Sequence, residues 1–119
     1  MPTILIVDDD DAIRGMLFDL LSAKYECNTA SMAEEALQYI EVEKYDAIVT
    51  DIAMPGLTGV ELLQRIQERN PAPPVILISG KGSEQDPKAL IDLGAFAYVT
   101  KPFNLDEIEE LVERAIAQN

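Results

Sequence analysis

The sequence predicts an α/β protein built on a parallel sheet, and three observations favour this class. Short segments rich in β-branched and other apolar residues alternate with longer segments whose apolar residues recur at helical spacing. This alternation occurs five times, and parallel strands need a crossover, usually a helix, between them. At 119 residues, 48% of them apolar, the chain is large enough to bury a core. We therefore expect residues 1–119 to fold as a single domain.

The five predicted strands are short segments, most of them rich in β-branched residues or bounded by turn signals; the second and fifth have the weaker patterns. They cover Thr3–Val7, Glu26–Ala30, Ala47–Thr50, Val75–Ser79 and Ala97–Thr100. Five βα units in a chain of this length favour the flavodoxin-like strand order 2-1-3-4-5. In that order, helices cover both faces of the sheet.

The helices between these strands are predicted from amphipathic spacing. Apolar residues at i, i+3, i+4, i+7 and i+8 define the inner face of the first helix: Ile13, Met16, Leu17, Leu20 and Leu21. The fifth helix has a similar inner face: Leu105, Ile108, Leu111, Val112, Ala115 and Ile116. We expect both sets to pack against the sheet.

Capping signals predict where the helices begin and end. A Ser or Thr followed three residues later by Glu opens the second and third helices: Ser31 with Glu34, and Thr58 with Glu61. The fourth helix should begin with Asp86 as its cap and Pro87 in its first turn, and Gly94 should end it. Asn104 and Glu107 should open the fifth.

Composition excludes several classes of function. Nine basic and 22 acidic residues give a net charge of −13, which disfavours direct binding to nucleic acid or to anionic lipid. No apolar stretch approaches the roughly 20 residues of a membrane span, and the N-terminus does not read as a signal peptide. The single cysteine, Cys27, suits a reducing cytoplasm and is expected to be a small buried apolar group. Histidine is absent, so chemistry must use carboxylates, hydroxyls, lysine and backbone.

Polar residues end the strands on one edge of the predicted sheet. Ligands of such sheets bind at the carboxyl ends of the strands where the strand order reverses, here between the first and third strands. The first strand runs into Asp8–Asp11 and the third into Asp51, while Ser79 ends the fourth strand and Lys101 follows the fifth. The order 2-1-3-4-5 therefore predicts a cluster of several acids, a hydroxyl and a lysine.

These residue types suit phosphoryl chemistry with Mg²⁺. Neighbouring carboxylates stay ionised together when a cation lies among them, and oxygen-only ligands favour Mg²⁺. Helix capping needs only one acid, Asp10 or Asp11, which leaves Asp8 and Asp9 for the metal. A carboxylate such as Asp51 beside Mg²⁺ can attack phosphorus, and the three oxygens of the phosphoryl group would be met by Mg²⁺, by lysine and by the serine hydroxyl.

The whole chain resembles the receiver domain of two-component response regulators. Four blocks carry the resemblance, in order and with the family's typical spacing: "ILIVDDD", "DAIVTDIAMPGLTG", "VILISG" and "YVTKPF". The resemblance implies that Asp51 accepts a phosphoryl group from the phosphohistidine of a sensor kinase or phosphotransfer protein. It also implies that Asp8, Asp9, Asp51 and the backbone carbonyl of Ala53 hold Mg²⁺, with Lys101 pairing with the phosphoryl group.

The same resemblance implies a conformational switch. Ser79 and Tyr98 match the family's switch pair, in which the hydroxyl moves toward phosphate and the ring turns inward, and the Lys101–Pro102 bond is expected to be cis. The face formed by helix 4, strand 5 and helix 5 would then change, with a second copy or an output domain as its partner. "GAFAY" at 94–98 is similar to receivers of the nitrogen-regulator type or of hybrid kinases, and the sequence leaves open whether the domain is stand-alone.

Two other classes of protein share parts of this pattern. Haloacid dehalogenase-like phosphatases use an Asp nucleophile with Mg²⁺, and Asp9-x-Asp11 superficially matches their D-x-D motif. They also need a late acidic pair for the metal, and no such pair follows the fourth strand. A flavodoxin-like flavin carrier has the same fold, but four acids facing a flavin phosphate disfavour it.

Overall fold

A computed structural model describes residues 1–53, 59–69, 71–80 and 87–118 of the chain. It contains one five-stranded parallel sheet in the order β2-β1-β3-β4-β5, which confirms the predicted fold class and strand order. The strands are β1 (Thr3–Val7), β2 (Glu26–Ala30), β3 (Ala47–Asp51), β4 (Val75–Ser79) and β5 (Ala97–Thr100). Four of them match the predicted bounds, and β3 extends one residue further, so that Asp51 belongs to the strand.

Five helices cover the two faces of this sheet. They are α1 (Asp11–Leu21), α2 (Ala33–Val42), α3 (Gly59–Gln67), α4 (Pro87–Asp92) and α5 (Leu105–Ala117). Buried residues of α1 and α5 pack on one face, and those of α2, α3 and α4 pack on the other. Successive strand residues point to opposite faces. Leu5 and Val7 therefore join the second group, whereas Ile4 and Ile6 join the first.

The central strands carry continuous apolar runs because both of their faces are covered. Residues 4–7 of β1 are no more than 1% exposed, and residues 75–78 of β4 are equally buried. A continuous run ends where the strand leaves the core. The polar residues that follow these runs consequently lie at the carboxyl edge of the sheet.

Helix capping agrees with the prediction at three ends and differs at one. Asp10 caps α1 through its carboxylate, and Asn104 caps α5. Gly94 follows α4 at a φ of 112°, a conformation that favours glycine. The predicted pairing of Ser31 with Glu34 is wrong. The α2 helix begins at Ala33, so its third residue is Glu35, and that carboxylate accepts the Ser31 backbone N–H instead.

Two further capping predictions, the Thr58 cap of α3 and the Asp86 cap of α4, lie outside the described residues. The adjoining helices begin at Gly59 and Pro87, which agrees with both expectations at the level of helix bounds. In the described part of the chain, no helix is long and apolar enough to cross a membrane.

The predicted inner faces of α1 and α5 each include one residue that is exposed in the structure. Leu17 and Leu21 of α1 are buried as expected, but Met16 is 40% exposed, and Leu105 of α5 is 36% exposed. These two side chains line one surface depression between α1 and α5. Leu105 is the first residue of α5, so it lies at the end of the helix rather than over the middle of the sheet. The exposure of these two side chains corrects the prediction.

Candidate functional site

Strand register brings the predicted site residues to one place. At the carboxyl ends of the strands, Val7 pairs with Thr50, Asp51 with Ile78, and Ser79 with Thr100. Each of these residues either is a predicted site residue or comes directly before one in the chain. Asp8, Asp51, Ser79 and Lys101 therefore follow one another across the carboxyl edge of β1, β3, β4 and β5. The juxtaposition that the strand order predicts is present.

Three carboxylates form the centre of this edge. Asp8, Asp9 and Asp51 each offer an oxygen, and these oxygens lie within 4.8 Å of one another. Asp8 is fully buried and Asp51 is 4% exposed, whereas Asp9 is exposed. Like charges this close repel strongly where water is excluded. The cluster therefore has a standing electrostatic cost when no cation is bound.

The cluster fits a hard divalent cation. The Asp8 Oδ2 atom is buried and, within the described residues, accepts no hydrogen bond. An unsatisfied buried carboxylate oxygen beside two other carboxylates is a natural ligand for Mg²⁺, which binds oxygen and keeps part of its water shell. The acidic cluster thus has the oxygen ligands and the spacing that fit Mg²⁺.

Lys101 supplies positive charge to this cluster. Its Nζ donates a hydrogen bond to Asp51 Oδ2 at 3.1 Å and lies 3.6 Å from Asp8 Oδ2. Burial alone would lower the pKa of Lys101, but the hydrogen bond to Asp51 and the charges of Asp51 and Asp8 raise it above 10.5. One ammonium group therefore serves two buried carboxylates and stays protonated.

Burial also acts on Asp8. Loss of water raises the pKa of the Asp8 carboxyl above 3.8, and the nearby charge of Asp51 adds to that increase. The hydrogen bond from the Asp10 backbone N–H and the charge of Lys101 act in the opposite direction without cancelling it. The metal-free fold thus stabilises the charged form of Asp8 less well than water does.

Asp51 accepts two hydrogen bonds with different oxygens. Its Oδ1 accepts the backbone N–H of Ala53 at 3.1 Å, and its Oδ2 accepts Lys101. The first bond holds the start of the loop after β3 against the carboxylate. The Asp51 side chain is therefore fixed between backbone on one side and the lysine on the other.

Ser79 and Tyr98 lie on neighbouring strands at this side of the sheet. Ser79 is fully buried at the end of β4, and its hydroxyl donates to the carbonyl of Gly80 at 3.1 Å. Tyr98 lies on the edge strand β5, pairs with Leu77, and packs partly buried against the core that contains α2, α3 and α4. The Lys101–Pro102 bond is cis, as expected.

Two further residues have notable surroundings: Cys27, whose thiol has a raised pKa, and Arg14, which contacts the backbone of Asp8. Cys27 is half-buried in β2, and burial raises the pKa of its thiol to about 11, which keeps it protonated. Arg14 was not predicted as a site residue, yet its guanidinium donates to the Asp8 carbonyl at 2.8 Å. The signal that could have found it is a basic residue near the start of a helix that follows a run of acids, because helix N-termini disfavour cations.

Comparison with known proteins identifies the family. The model of the response regulator receiver domain matches residues 4–113. The nitrogen regulator NtrC of Klebsiella pneumoniae is 38% identical over 113 residues, covering 94% of this chain and 24% of NtrC. NtrX of Azorhizobium caulinodans is 39% identical over 116 residues, covering 95% of this chain and 26% of NtrX. A receiver domain from Clostridium thermocellum superimposes with a TM-score of 0.92 at 30% identity, covering 99% of this chain and 96% of the other.

A parallel sheet in this order, with an acidic cluster and a lysine at its carboxyl edge, defines a receiver fold. The chain belongs to the response regulator receiver domain family and is a receiver domain of two-component signalling. It is a signalling module regulated by phosphorylation rather than an enzyme in the usual sense, which decides against the phosphatase and flavin-carrier alternatives. The chain spans about a quarter of the length of the two nitrogen regulators that it matches.

Proposed function

We propose that Asp51 is the phosphoacceptor and that the phosphoryl group comes from the phosphohistidine of a sensor kinase or a phosphotransfer protein. The observation that carries this proposal is the position of Asp51, whose carboxylate lies among Asp8 and Asp9 and accepts a hydrogen bond from Lys101. Residues 1–119 would act together as a single receiver domain.

The choice of Asp51 over its neighbours rests on accessibility and charge. Asp8 is fully buried, and one of its oxygens already accepts the Asp10 backbone N–H at 2.8 Å. Asp9 is exposed and has no described ion pair with a lysine. Asp51 combines slight exposure with a lysine 3.1 Å away. It alone of the three pairs a reachable oxygen with a cation that can bind the transferred group.

The proposed reaction is a phosphoryl transfer in which one bond replaces another. An Asp51 carboxylate oxygen forms a bond to phosphorus while the phosphorus–nitrogen bond of the donor breaks, and the imidazole leaves with the electron pair. The Lys101 ammonium group donates to the Asp51 carboxylate before the transfer and would contact the phosphoryl oxygens afterwards, which stabilises their negative charge. The Ser79 hydroxyl, which donates to the Gly80 carbonyl in the resting state, would turn to a phosphoryl oxygen.

Mg²⁺ is the proposed cofactor, held by Asp8, Asp9, Asp51 and the backbone carbonyl of Ala53. The close carboxylates and the unsatisfied Asp8 Oδ2 support this ligand set. When bound, the cation offsets the charge of the carboxylates and of the phosphoryl group. A role for Ala53 requires its carbonyl to turn to the cluster, and its N–H already bonds to Asp51.

The test of the phosphoacceptor uses a small acyl-phosphate donor with Mg²⁺ and intact-protein mass spectrometry. Wild type should gain one phosphoryl group, and Asp51→Asn should gain none because an amide cannot form the acyl phosphate. Asp19→Asn, which changes an exposed acid on α1, is the matched control and should label like wild type. Equal labelling of wild type and Asp51→Asn would refute the assignment.

We further propose that the phosphoryl group is read through Ser79 and Tyr98. If the buried Ser79 hydroxyl moves to the phosphate, the half-buried Tyr98 ring can turn inward and alter the face of α4, β5 and α5. On that face Ile91 of α4 is 43% exposed and lines a surface depression together with Phe96 and with Arg114 of α5. Its proposed partner is a second copy or an output domain.

With a net charge of −13, the domain itself should not contact nucleic acid, and the proposal places it in the cytoplasm.

Beryllofluoride, a phosphoryl mimic, tests this switch by NMR. With Mg²⁺ it should shift the amide signals of residues 89–98 in wild type and shift them much less in Ser79→Ala, since the alanine has no hydroxyl to move. Ser79→Thr keeps the hydroxyl and should respond like wild type. If Ser79→Ala responds as fully as wild type, the signal leaves the site by another route.

A further inference from the structure

Arg14 bridges two points of the turn between β1 and α1. Its Nη1 donates to the backbone carbonyl of Asp8 at 2.8 Å, and its Nη2 pairs with the carboxylate of Asp11. Helical side chains lean toward the N-terminus of their helix, so a residue in the second turn can reach back to the turn that precedes it. The Arg14 side chain is 22% exposed, whereas that of Asp11 is 90% exposed.

The position of this arginine is electrostatically unfavourable for the helix. Cations stabilise helix C-termini and destabilise helix N-termini. Arg14 also lies near the proposed Mg²⁺ site, where the repulsion between its positive charge and the cation lowers the affinity for Mg²⁺. A compensating gain is expected, and the hydrogen bond to Asp8 is the contact that can provide it.

Asp8 is fixed at three points, and Arg14 supplies one of them. The Asp8 backbone N–H donates to the Ala30 carbonyl at 3.1 Å, and Asp8 Oδ1 accepts the Asp10 N–H at 2.8 Å. The Asp8 carbonyl accepts Arg14. The remaining polar atom is Oδ2, which has no hydrogen bond from the described residues and lies 3.6 Å from the Lys101 ammonium group. Among the donors and acceptors of these three hydrogen bonds, Arg14 is the only side-chain partner, so a substitution can remove its bond without altering the backbone.

We infer that Arg14 is a positioning residue for the acidic site. Its bond to the Asp8 carbonyl fixes the turn after β1, and this directs Asp8 Oδ2 and the neighbouring Asp9 carboxylate to a common point with Asp51. The inference rests on the proposed Mg²⁺ site and adds to it a residue outside the ligand set. Groups that orient metal ligands typically change metal affinity by 10- to 100-fold when removed.

The direction of the change in Mg²⁺ affinity distinguishes a positioning role of Arg14 from a purely electrostatic one. Arg14→Met keeps an apolar stem of similar shape but removes both donors and the positive charge. A purely electrostatic role predicts tighter Mg²⁺ binding, because a repelling charge has gone. A positioning role predicts Mg²⁺ binding weakened about tenfold. Asp11→Asn is the matched control, since it removes the exposed partner of Arg14 and leaves the bond to Asp8, and we expect its affinity to stay within about twofold of wild type.

The experiment titrates Mg²⁺ alone into each metal-free protein at 0.15 M salt and follows the amide signals of residues 8–10 by NMR. Exchange of the Asp10 amide hydrogen, measured without metal, gives a second readout. It should be about tenfold faster in Arg14→Met because the turn is looser. Arg14→Gln, which is too short to reach the carbonyl and favours the helix, repeats both measurements should Arg14→Met fold poorly.

Each outcome decides the matter. Weaker Mg²⁺ binding and faster Asp10 exchange in the Arg14 variants, with Asp11→Asn unchanged, support the positioning role. Unchanged or tighter binding in the Arg14 variants overturns it while the Mg²⁺ site itself stands. Absence of Mg²⁺ binding by wild type overturns both the site and the inference, which distinguishes the two failures.

Discussion

Replacing Lys101 by methionine should lower the free energy of unfolding of the metal-free protein by about 2 to 3 kcal/mol at pH 7. The reason is that Lys101 Nζ lies 3.1 Å from Asp51 and 3.6 Å from Asp8, and its removal leaves two buried carboxylates without a cation. Lys24→Met is the matched control. Lys24 is more exposed and lies 3.9 Å from Glu109, so its loss should cost less than about 1 kcal/mol.

The pH dependence of this effect follows from the raised pKa of Lys101. A lysine whose pKa is higher in the folded state stabilises the fold below its unfolded value, near 10.5, and loses that contribution as the pH rises through the folded value. The difference between wild type and Lys101→Met in chemical denaturation should therefore shrink above about 10.5. Saturating Mg²⁺ should stabilise the variant more than wild type. Equal stability of the two proteins at pH 7 would contradict the account.

Replacing Asp8 by asparagine should have the opposite effect and raise metal-free stability by about 1 to 2 kcal/mol at pH 7. Asparagine can still accept the Asp10 N–H, and it removes a fully buried charge that faces Asp51 and Asp9. The same substitution should abolish the gain in melting temperature that Mg²⁺ gives wild type by mass action. Asp9→Asn is the matched control, and its smaller effect on metal-free stability follows from the exposure of Asp9.

The direction of the pH effect is again fixed by the pKa shift. Because the pKa of Asp8 is raised in the folded state, the metal-free fold binds the proton more tightly than the unfolded chain does. The contribution of Asp8 to wild-type stability should consequently fall as the pH rises from about 3.8 through the folded pKa and stay lower above it. The advantage of Asp8→Asn should grow over the same interval. A variant less stable than wild type at pH 7 would show that the charged hydrogen bond from Asp10 outweighs the repulsion.

The fold and the acidic cluster were predictable because they depend on patterns that the sequence carries directly. Buried central strands require continuous apolar runs, and each run ends where a polar residue reaches the sheet edge, as at Asp51 and Ser79. Strand order then places those ends side by side. Capping by Asn104 was predictable for the same reason, since the side chain acts on backbone two residues away.

The errors concern the exact start of one helix and the margins of two apolar faces. Ser31 and Met32 can each precede α2, and the structure begins the helix one residue later than the pattern predicted, which gives the capping role to Glu35. Met16 and Leu105 follow the helical period but lie at the exposed margin of the apolar face of their helices. Spacing alone does not show which residue of an apolar stripe lies at its margin.

Arg14 escaped prediction because its contact is with a backbone carbonyl. Sequence patterns identify charged side chains that match other charged side chains, as Arg14 and Asp11 do at i and i+3. A basic residue at the start of a helix marks Arg14 as unusual, but the sequence does not identify the Asp8 carbonyl as its partner, because the direction of that carbonyl depends on how β1 enters α1. Such supporting contacts become visible only with the three-dimensional arrangement of the turn.

The central claim is that Asp51 carries the phosphoryl group, and chemical reduction of the phosphorylated protein tests it most directly. Borohydride converts an aspartyl phosphate, but not a free carboxylate, into homoserine. After treatment with an acyl-phosphate donor, Mg²⁺ and borohydride, peptide mass spectrometry should find homoserine at position 51 and unmodified aspartate at Asp8 and Asp9. Homoserine at Asp8 or Asp9, or none at position 51 in a protein that has gained a phosphoryl group, would contradict the account.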